Sequence, residues 1–480
     1  MNGASILFTI LLCVAGSAVA QDWEIEVVDV GTKPELALDA AGQPHIAYMT
    51  EEMAGGVFYA IRNRDGWETD VVVRGYFYGP LDVTLDAEGG PHIVYHDHQG
   101  GDFDPDRGDA GYAFKEGNAW VLEAIADPGR DGWDGSIAVG PEGEVHVSAI
   151  DPSQFGSFAG VEWAVRRGGR WRVEEIGSGP VPYEFGTSLA VDAEGRPHIV
   201  YHTGEEERSP DGDLVYAVLV SDEWYIEEVD VDGDVGKFAS LALDSQGRPH
   251  IAYFEWVEER SGFVKYAFVD ETGWQIERVG ALNDVEISFL GARRMISLAL
   301  DANDRPHIAY ADREVLRYVS RAGDDWGIQV VSRPSSEDKA LGQLVSLALD
   351  GSGQPHLTYY ELPASPTSSL GTVYYAAGRT RAFVAENPTP KVPETFRLGQ
   401  NAPNPFNPVT AISYDLPEAG TVTLTVYTAA GQEVATLVRG DQEAGQHTVL
   451  FDGSGLANGI YVYRLAAGGA VETRRMVLVK

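Results

Sequence analysis

The chain has 480 residues, with 35 basic and 73 acidic side chains and a formal net charge of −38. That sign excludes nucleic acid as a partner, because phosphates need a basic surface, and it disfavours adhesion to anionic lipid. Apolar residues at 44% and aromatics at 10% suffice for a packed core, and a single cysteine, Cys13, excludes an intrachain disulfide and a thiolate metal site.

The first segment is an apolar run from Ile6 to Gly16 followed by Ala18-Val19-Ala20. This is the pattern of a secretory signal peptide over residues 1–20, although no Lys or Arg precedes the run. The run is too short to span a bilayer as a helix, so no transmembrane span is expected. Cleavage before Gln21 would remove Cys13 and none of the charge. The expected destination is extracellular or the outer cell surface, by way of the periplasm.

A repeat governs residues 21–385. Its motif is an apolar strand ending in Asp, a four-residue turn, then Pro-His-Ile-x-Tyr, as in LALDAAGQPHIAY (36–48) and LALDSQGRPHIAY (241–253). Seven copies, about 50 residues apart, place His45, His92, His146, His198, His250, His307 and His356, with IAVGPEGEVHVSA (137–149) a worn version. Seven tryptophans interleave with them: Trp23, Trp67, Trp120, Trp171, Trp224, Trp274 and Trp326. Eight residues before each of the last six lies another aromatic: Tyr59, Tyr112, Trp163, Tyr216, Tyr266 and Tyr318. Each unit thus has four short strands, A (LALD), B (PHIxY), C (aromatic) and D (Trp), the signature of a seven-bladed β-propeller. The landmarks begin with a D strand and end after a C strand, so the Trp23 strand should close the ring in the last blade. Phe383, eight residues after Tyr375, competes for that slot. The repeated histidines are read as structural, each bonding a turn or a neighbouring blade.

Loop lengths separate two faces. The final A position to the Pro position is five residues in every unit, and the C aromatic to the tryptophan is eight. B-to-C spacing varies from 8 to 17 and D-to-A spacing from 16 to 27. Recognition is therefore expected on the B–C/D–A face, since variable loops on a rigid frame carry function. Its candidate binding residues are Tyr78, Trp133, Tyr183, Phe185, Phe238 and Trp256, aromatics suited to stacking on sugars or anchoring a protein. His96 and His202 follow the motif tyrosine into variable loops and are the candidate general bases. Asp102, Asp104, Asp106 and Asp109 alternate as calcium ligands do, and Asp230, Asp232 and Asp234 echo them. Neither loop has the glutamate that completes an EF-hand, so the cofactor expectation is none, with calcium as the alternative.

The propeller resembles the sialidase-like and BNR-repeat superfamily, whose Asp-box is echoed in Asp65-Gly66-Trp67 and Asp270-Glu-Thr-Gly273-Trp274. The resemblance implies a glycan-active or glycan-binding domain. Arg130, Arg293 and Arg294 lie on variable loops, and Arg293 and Arg294 join the candidate binding residues, but no Tyr/Glu nucleophile pair accompanies them as a sialidase requires.

Residues 386–394 form a proline-rich linker, and the repeat is absent beyond it. Residues 395–480 carry six basic and seven acidic groups and read as short strands of an immunoglobulin-like β-sandwich. Gln400-Asn-Ala-Pro-Asn-Pro-Phe-Asn-Pro408, Val422-Thr-Leu-Thr-Val-Tyr427, Gly459-Ile-Tyr-Val-Tyr-Arg464-Leu and Met476-Val-Leu-Val-Lys480 closely resemble the type A C-terminal sorting domain of the type IX secretion system, related to the FlgD immunoglobulin-like fold. The resemblance implies that residues 395–480 engage that machinery. The expectation is an all-β, secreted or surface-bound monomer that binds glycans or protein partners. The alternative is an extracellular carbohydrate-active enzyme, a sialidase-like hydrolase or a polysaccharide lyase, acting on the variable face.

Overall fold

The computed structural model describes residues 22–50, 55–64, 66–75, 77, 79, 81–98, 108–125, 133–151, 160–178, 181, 186–204, 212–258, 261–282, 295–322, 325–336, 338–342, 344–363, 371–379, 395–442 and 444–479. All regular elements among them are strands. The chain divides into two compact units, 1–381 and 382–480. The signal-peptide, linker and Phe383 readings lie outside the described residues.

In the first unit six sheets are four-stranded antiparallel meanders, each pairing A, B, C and D in chain order. The A strands are Thr32–Leu38, Leu81–Leu85, Trp133–Val139, Thr187–Val191, Asp234–Leu243, Ile296–Leu300 and Ser346–Leu349. Each touches the A strand of the next blade, and the seventh touches the first. The seventh sheet joins Ser346–Leu349, Pro355–Pro363 and Thr372–Arg379 to the N-terminal strand Asp22–Val30. Trp23 lies opposite Gly378, as Trp67 lies opposite Arg62 in blade 1, so the first strand fills the D slot in register. An added strand not legible in the repeat, Lys339–Leu341, pairs with the far end of Pro355–Pro363.

The repeat motif becomes one relay of side chains. The Asp closing each A strand caps its own turn: Asp192 Oδ1 accepts from the N–H groups of Glu194 and Arg196 at 3.0 and 2.8 Å. Its second oxygen faces the imidazole, accepting from His198 Nε2 at 3.1 Å and, in blade 2, from His92 Nε2 onto Asp86 at 3.3 Å. The other nitrogen, Nδ1, meets the C-strand tyrosine hydroxyl of the same blade, at 2.5 Å in His92–Tyr112 and His198–Tyr216. His45, His250, His307 and His356 make the same contact with Tyr59, Tyr266, Tyr318 and Tyr375. The histidine thus bonds its own blade's turn and C strand rather than a neighbouring blade.

That C-strand aromatic then receives the D-strand tryptophan of the next blade edge-on. All seven pairs, from Trp120 on Tyr59 round to Trp67 on Tyr375, have centroids 5.2–5.7 Å apart and interplanar angles of 70–82°. Edge-to-face pairs contribute about 0.5–1.5 kcal/mol each beyond their buried area.

Blade 3 fixes the tautomer. There Trp163 replaces the tyrosine and its Nε1–H donates to His146 Nδ1 at 3.1 Å. An indole can only donate, so Nδ1 is the acceptor and Nε2 carries the proton toward the acid. Gly140 replaces the motif Asp in this blade, and Glu144 supplies the carboxylate from the opposite end of the turn, 3.5 Å from His146 Nε2. A Cβ at Gly140 would stand 2.5 Å from that carboxyl, so the two changes are compensatory.

The A strands are the inner edge, and their N–H groups need acceptors across the blade gap. Ser136, Ser188, Ser240, Ser297 and Ser346 each accept from the next blade's A strand at 3.0–3.2 Å, and Asp82 accepts from Ile137 N at 2.9 Å.

The second unit has two linked sheets. One holds Arg397–Leu398, Ala402–Asn407, Val409–Leu416 and Gly445–Asp452. The other holds Gly420–Thr428, Glu433–Gln442, Gly459–Ala467 and Ala470–Leu478. Phe406, Ile412, Leu424, Tyr463 and Met476 are buried between them. The sequence motifs converge here: Asn401 N–H donates to Tyr463 Oη at 2.7 Å, and Asn404 Oδ1 accepts from Val477 N at 2.8 Å.

Tyr266→Phe keeps the ring on Trp326 but strands His250 Nδ1, and should cost about 1–3 kcal/mol; Trp326→Ala should cost about 3–5 kcal/mol, both read by urea denaturation. The relay histidines have pKa values lowered chiefly by burial, against the raising influence of their carboxylates. A depressed folded pKa gives stability that is present above the unfolded value, about 6.5, and lost as pH falls below it. The urea midpoint should therefore drop between about pH 7 and pH 5.5, and His198→Gln should flatten that slope.

Candidate functional site

The two faces of the propeller differ in kind. On the A–B side every turn repeats one pattern, with Gly42 N donating to Asp39 O at 2.9 Å and Asp39 N to Gln43 O at 3.1 Å. The left-handed position is glycine in six blades and Asp304 in blade 6, at φ +60°. Asp304 uses its carboxylate to accept from Ser245 N and Oγ of the adjacent blade at 2.8 and 2.7 Å. Identical turns present no blade-specific pocket.

The variable face is best defined where blades 4 and 5 meet. Strand Glu223–Asp230 runs through a three-residue connection into Asp234–Leu243, whose pairing with Pro249–Glu258 slips twice, between Asp234 and Lys237 and between Lys237 and Ser240. Phe238 lies in this irregular stretch at φ +57°, a conformation that costs a non-glycine residue roughly 1–3 kcal/mol. The slip turns Lys237 inward, where it pairs with Asp234, both buried. It also seats Phe238 beneath Phe254, with centroids 6.3 Å apart.

Two layers rise from this base, because alternate residues of Pro249–Glu258 point to opposite sides. On one side Tyr253 Oη donates to Asp230 Oδ2 at 2.6 Å, and Lys265 Nζ donates to the same oxygen at 2.6 Å. Lys265 lies 3.9 Å from Glu255, and Glu255 accepts both arms of Arg278 at 3.0 and 3.1 Å. Arg278, half-exposed, stacks 4.3 Å over the ring of Phe263. Burial first, then the Asp230 carboxylate, raises the Tyr253 pKa, so the phenol stays un-ionised. On the other side Phe254 holds Trp256 edge-on at 5.6 Å, leaving the tryptophan half-buried at the strand end.

Of the residues singled out in the sequence, Trp256 and Phe238 come together through Phe254; Phe238, at 1% exposure, is a support for Trp256 and not a surface contact. His202 is buried, donates from Nδ1 to Val235 O at 2.7 Å, and is held at about pKa 3 by burial and by the Lys237 charge. His96 is buried too, packed against Gly79. Asp230 and Asp234 of the second acidic loop each meet a lysine ammonium, an internal cation that the spacing does not reveal. Trp133 opens the third A strand and Asp109 lies in Gly108–Glu116, with side chains outside the described residues. Tyr78, Tyr183, Phe185, Arg293, Arg294, Asp102, Asp104 and Asp106 lie outside them entirely. Among the described residues no group of His, Cys, Asp and Glu is placed to hold a metal, and no helix is long and apolar enough to cross a membrane. Tyr253, Lys265, Glu255 and Arg278 escape sequence reasoning, since their partners come from different strands and leave no local pattern.

Residues 407–470 match the FlgD Ig-like domain family. No curated protein matches the chain in sequence. Among solved structures, an ulvan lyase reported as a new family of polysaccharide lyase and bound to -[GlcA(1-4)Rha3S]- is similar at 13% identity and TM-score 0.51, covering 73% of this chain and 95% of its own. A Penicillium chrysogenum α-L-arabinanase complexed with arabinobiose is similar at 12% identity and TM-score 0.43, covering 62% and 96%. A protein from Dyadobacter fermentans is similar at 12% identity and TM-score 0.44, covering 74% and 99%. These structural neighbours include propeller-type glycan enzymes, and the likeness to the lyase is one of fold.

The ionic layer gives a direct test. Lys265→Met leaves the buried Asp230 without its cation and should lower stability by about 3 kcal/mol, while Asp230→Asn combined with Lys265→Met should recover more than half of that loss in urea denaturation.

Proposed function

We propose that this is a secreted or cell-surface propeller that binds a glycan on its B–C/D–A face, and that residues 395–480 carry it out through the type IX system. The observation that carries the binding reading is the platform at blade 5. Trp256 is half-buried and braced by Phe254 on one side of its strand, the Arg278–Glu255 clamp stands on the opposite side, and the connections around them differ from blade to blade. A half-buried aromatic held rigidly before the ligand arrives is a means by which proteins stack sugar rings. The fold shared with a polysaccharide lyase supports a glycan as the first ligand class to try. In this reading the repeats are of the sialidase-like BNR type, and the turn before Trp274 fits it: Asp270 Oδ1 accepts from Thr272 N and Oγ1 at 2.7 Å.

The export half of the reading is supported by the FlgD Ig-like match and by the convergence of Asn401, Tyr463, Asn404 and Val477. A second reading, a glycan-cleaving enzyme of hydrolase or lyase type, is favoured by the lyase fold alone. The two separate on a glycan array of the chain from Gln21 onward, followed by product analysis of each hit. A ligand recovered intact marks a binder; an unsaturated or shortened product marks an enzyme. Trp256→Ala should weaken binding by about 2 kcal/mol or more, roughly thirtyfold, with the fold retained. Substitution of exposed residues in the 193–196 turn should leave affinity unchanged.

A further inference from the structure

The ring is closed by a strand that no turn delivers. In six sheets the D strand follows its own C strand, whereas in the seventh the N-terminal strand Asp22–Val30 takes the D slot beside Thr372–Arg379. That strand fastens three blades together. Asp22 lies opposite Arg379 and Trp23 opposite Gly378 in blade 7. The Trp23 indole meets the Tyr318 ring of blade 6 edge-on, with centroids 5.3 Å apart. Val28 is buried with Leu36, Ile46 and Ala60 of blade 1, the Tyr48 hydroxyl donates to Asp29, and Arg62 pairs with Glu26.

The pairing begins almost at the expected leader junction. Only Gln21 separates Ala20 from Asp22, so the junction lies within about 7 Å of the first paired residue. A peptidase holds the chain on both sides of the bond it cuts. On the downstream side of this junction those residues are Gln21, Asp22 and Trp23, and two of them belong to the closing strand.

We propose that removal of the leader before Gln21 and closure of the ring compete for the same residues, so that the leader is removed first and the strand Asp22–Val30 docks only afterwards. The proposal rests on the export reading above. A ring closed too early shields the junction, because a protease reaches a folded segment through the small population in which that segment is open. Topology favours the same order. Asp22 and Arg379 come from opposite ends of the propeller sequence, and contacts of such long separation are slow to form.

The test uses the purified full chain, residues 1–480, with a bacterial signal peptidase in detergent, and reads cleavage between Ala20 and Gln21 by mass spectrometry. Peptidase is added either at the moment the chain is diluted from urea or after refolding is complete, and a thermal melt confirms that the refolded samples are folded. The freshly diluted chain should be cut about tenfold or more faster than the refolded one. A refolded chain with about ten Gly and Ser residues inserted between Gln21 and Asp22 should be cut as fast as the freshly diluted chain, since the flexible insert carries the junction away from the strand. Trp23→Ala, which removes the contact with Tyr318, should make the refolded chain easier to cut. If the freshly diluted chain is not cut at this bond, the export reading itself is wrong. If it is cut and the refolded chain is cut equally fast, the competition is wrong. If the refolded chain with the insert resists as strongly as the unaltered one, docking of the strand is not what shields the junction, and the proposal is overturned. Should Trp23→Ala fail to refold, the insert, which leaves the ring unaltered, decides alone.

Discussion

The propeller depends on one buried contact, repeated seven times: a tryptophan edge set on the face of the preceding blade's aromatic, whose polar end is held by a histidine. Each blade buries a C-strand tyrosine or tryptophan whose hydroxyl or indole N–H must find a partner out of water. The imidazole supplies that partner, and the turn carboxylate accepts from the imidazole in blades 2 and 4 and faces it at 3.5–3.9 Å in the other five. Turn, two strands and the next blade are thereby joined in a single chain of contacts. Burial works to raise the carboxyl of Asp301, yet the Arg305 guanidinium and the turn N–H groups outweigh it and hold the group at about 2. The relay therefore keeps a fixed protonation pattern, and the blades keep a fixed spacing.

That constraint accounts for what is legible in the sequence. Pro-His-Ile-x-Tyr, the Asp five residues earlier and the Trp eight residues after the aromatic are spacings that the relay requires, so blade number and strand order can be read from the residues alone, whereas the choice between the Trp23 and Phe383 strands for closure needs the observed pairing of Asp22–Val30 with Thr372–Arg379. The acceptor serines sit in the same register, one position before each LALD, but a serine beside an apolar strand carries no distinctive chemistry and gives no signal. Lys339–Leu341 lies in a connection, where no repeat operates. The Tyr253–Asp230–Lys265–Glu255–Arg278 network is illegible for a related reason: it is assembled from three strands of blade 5 and one of blade 4, each contributing a residue that looks ordinary in its own segment. In the second unit the strands after Val409 are readable from alternation. Arg397–Leu398 and Ala402–Asn407 are not, because the first is only two residues long and proline and asparagine obscure the alternation of the second.

A scaffold held at fixed geometry on its short-turn side leaves its opposite face free to diversify. At blades 4 and 5 that freedom is used to bury charge: two lysines, Lys237 and Lys265, each meet an internal acid, the half-exposed Arg278 reaches in to Glu255, and the strained Phe238 sits where the ladder slips. Such a base is costly to assemble and rigid once assembled. Its effect is to hold Trp256 and the Glu255–Arg278 clamp in place before any ligand arrives, which reduces the ordering that binding would otherwise require.

The most direct measurement of the central claim is nitrogen-15 NMR of the histidine side chains, followed from pH 7.5 down to pH 5.5. The relay predicts that the seven motif imidazoles are protonated at Nε2 with Nδ1 accepting at pH 7.5 and take up a second proton only at lower pH than an exposed imidazole, whose ordinary value is about 6.5. Conversion of the motif histidines to imidazolium near pH 6.5 in the folded protein, or protonation at Nδ1 at pH 7.5, would contradict it.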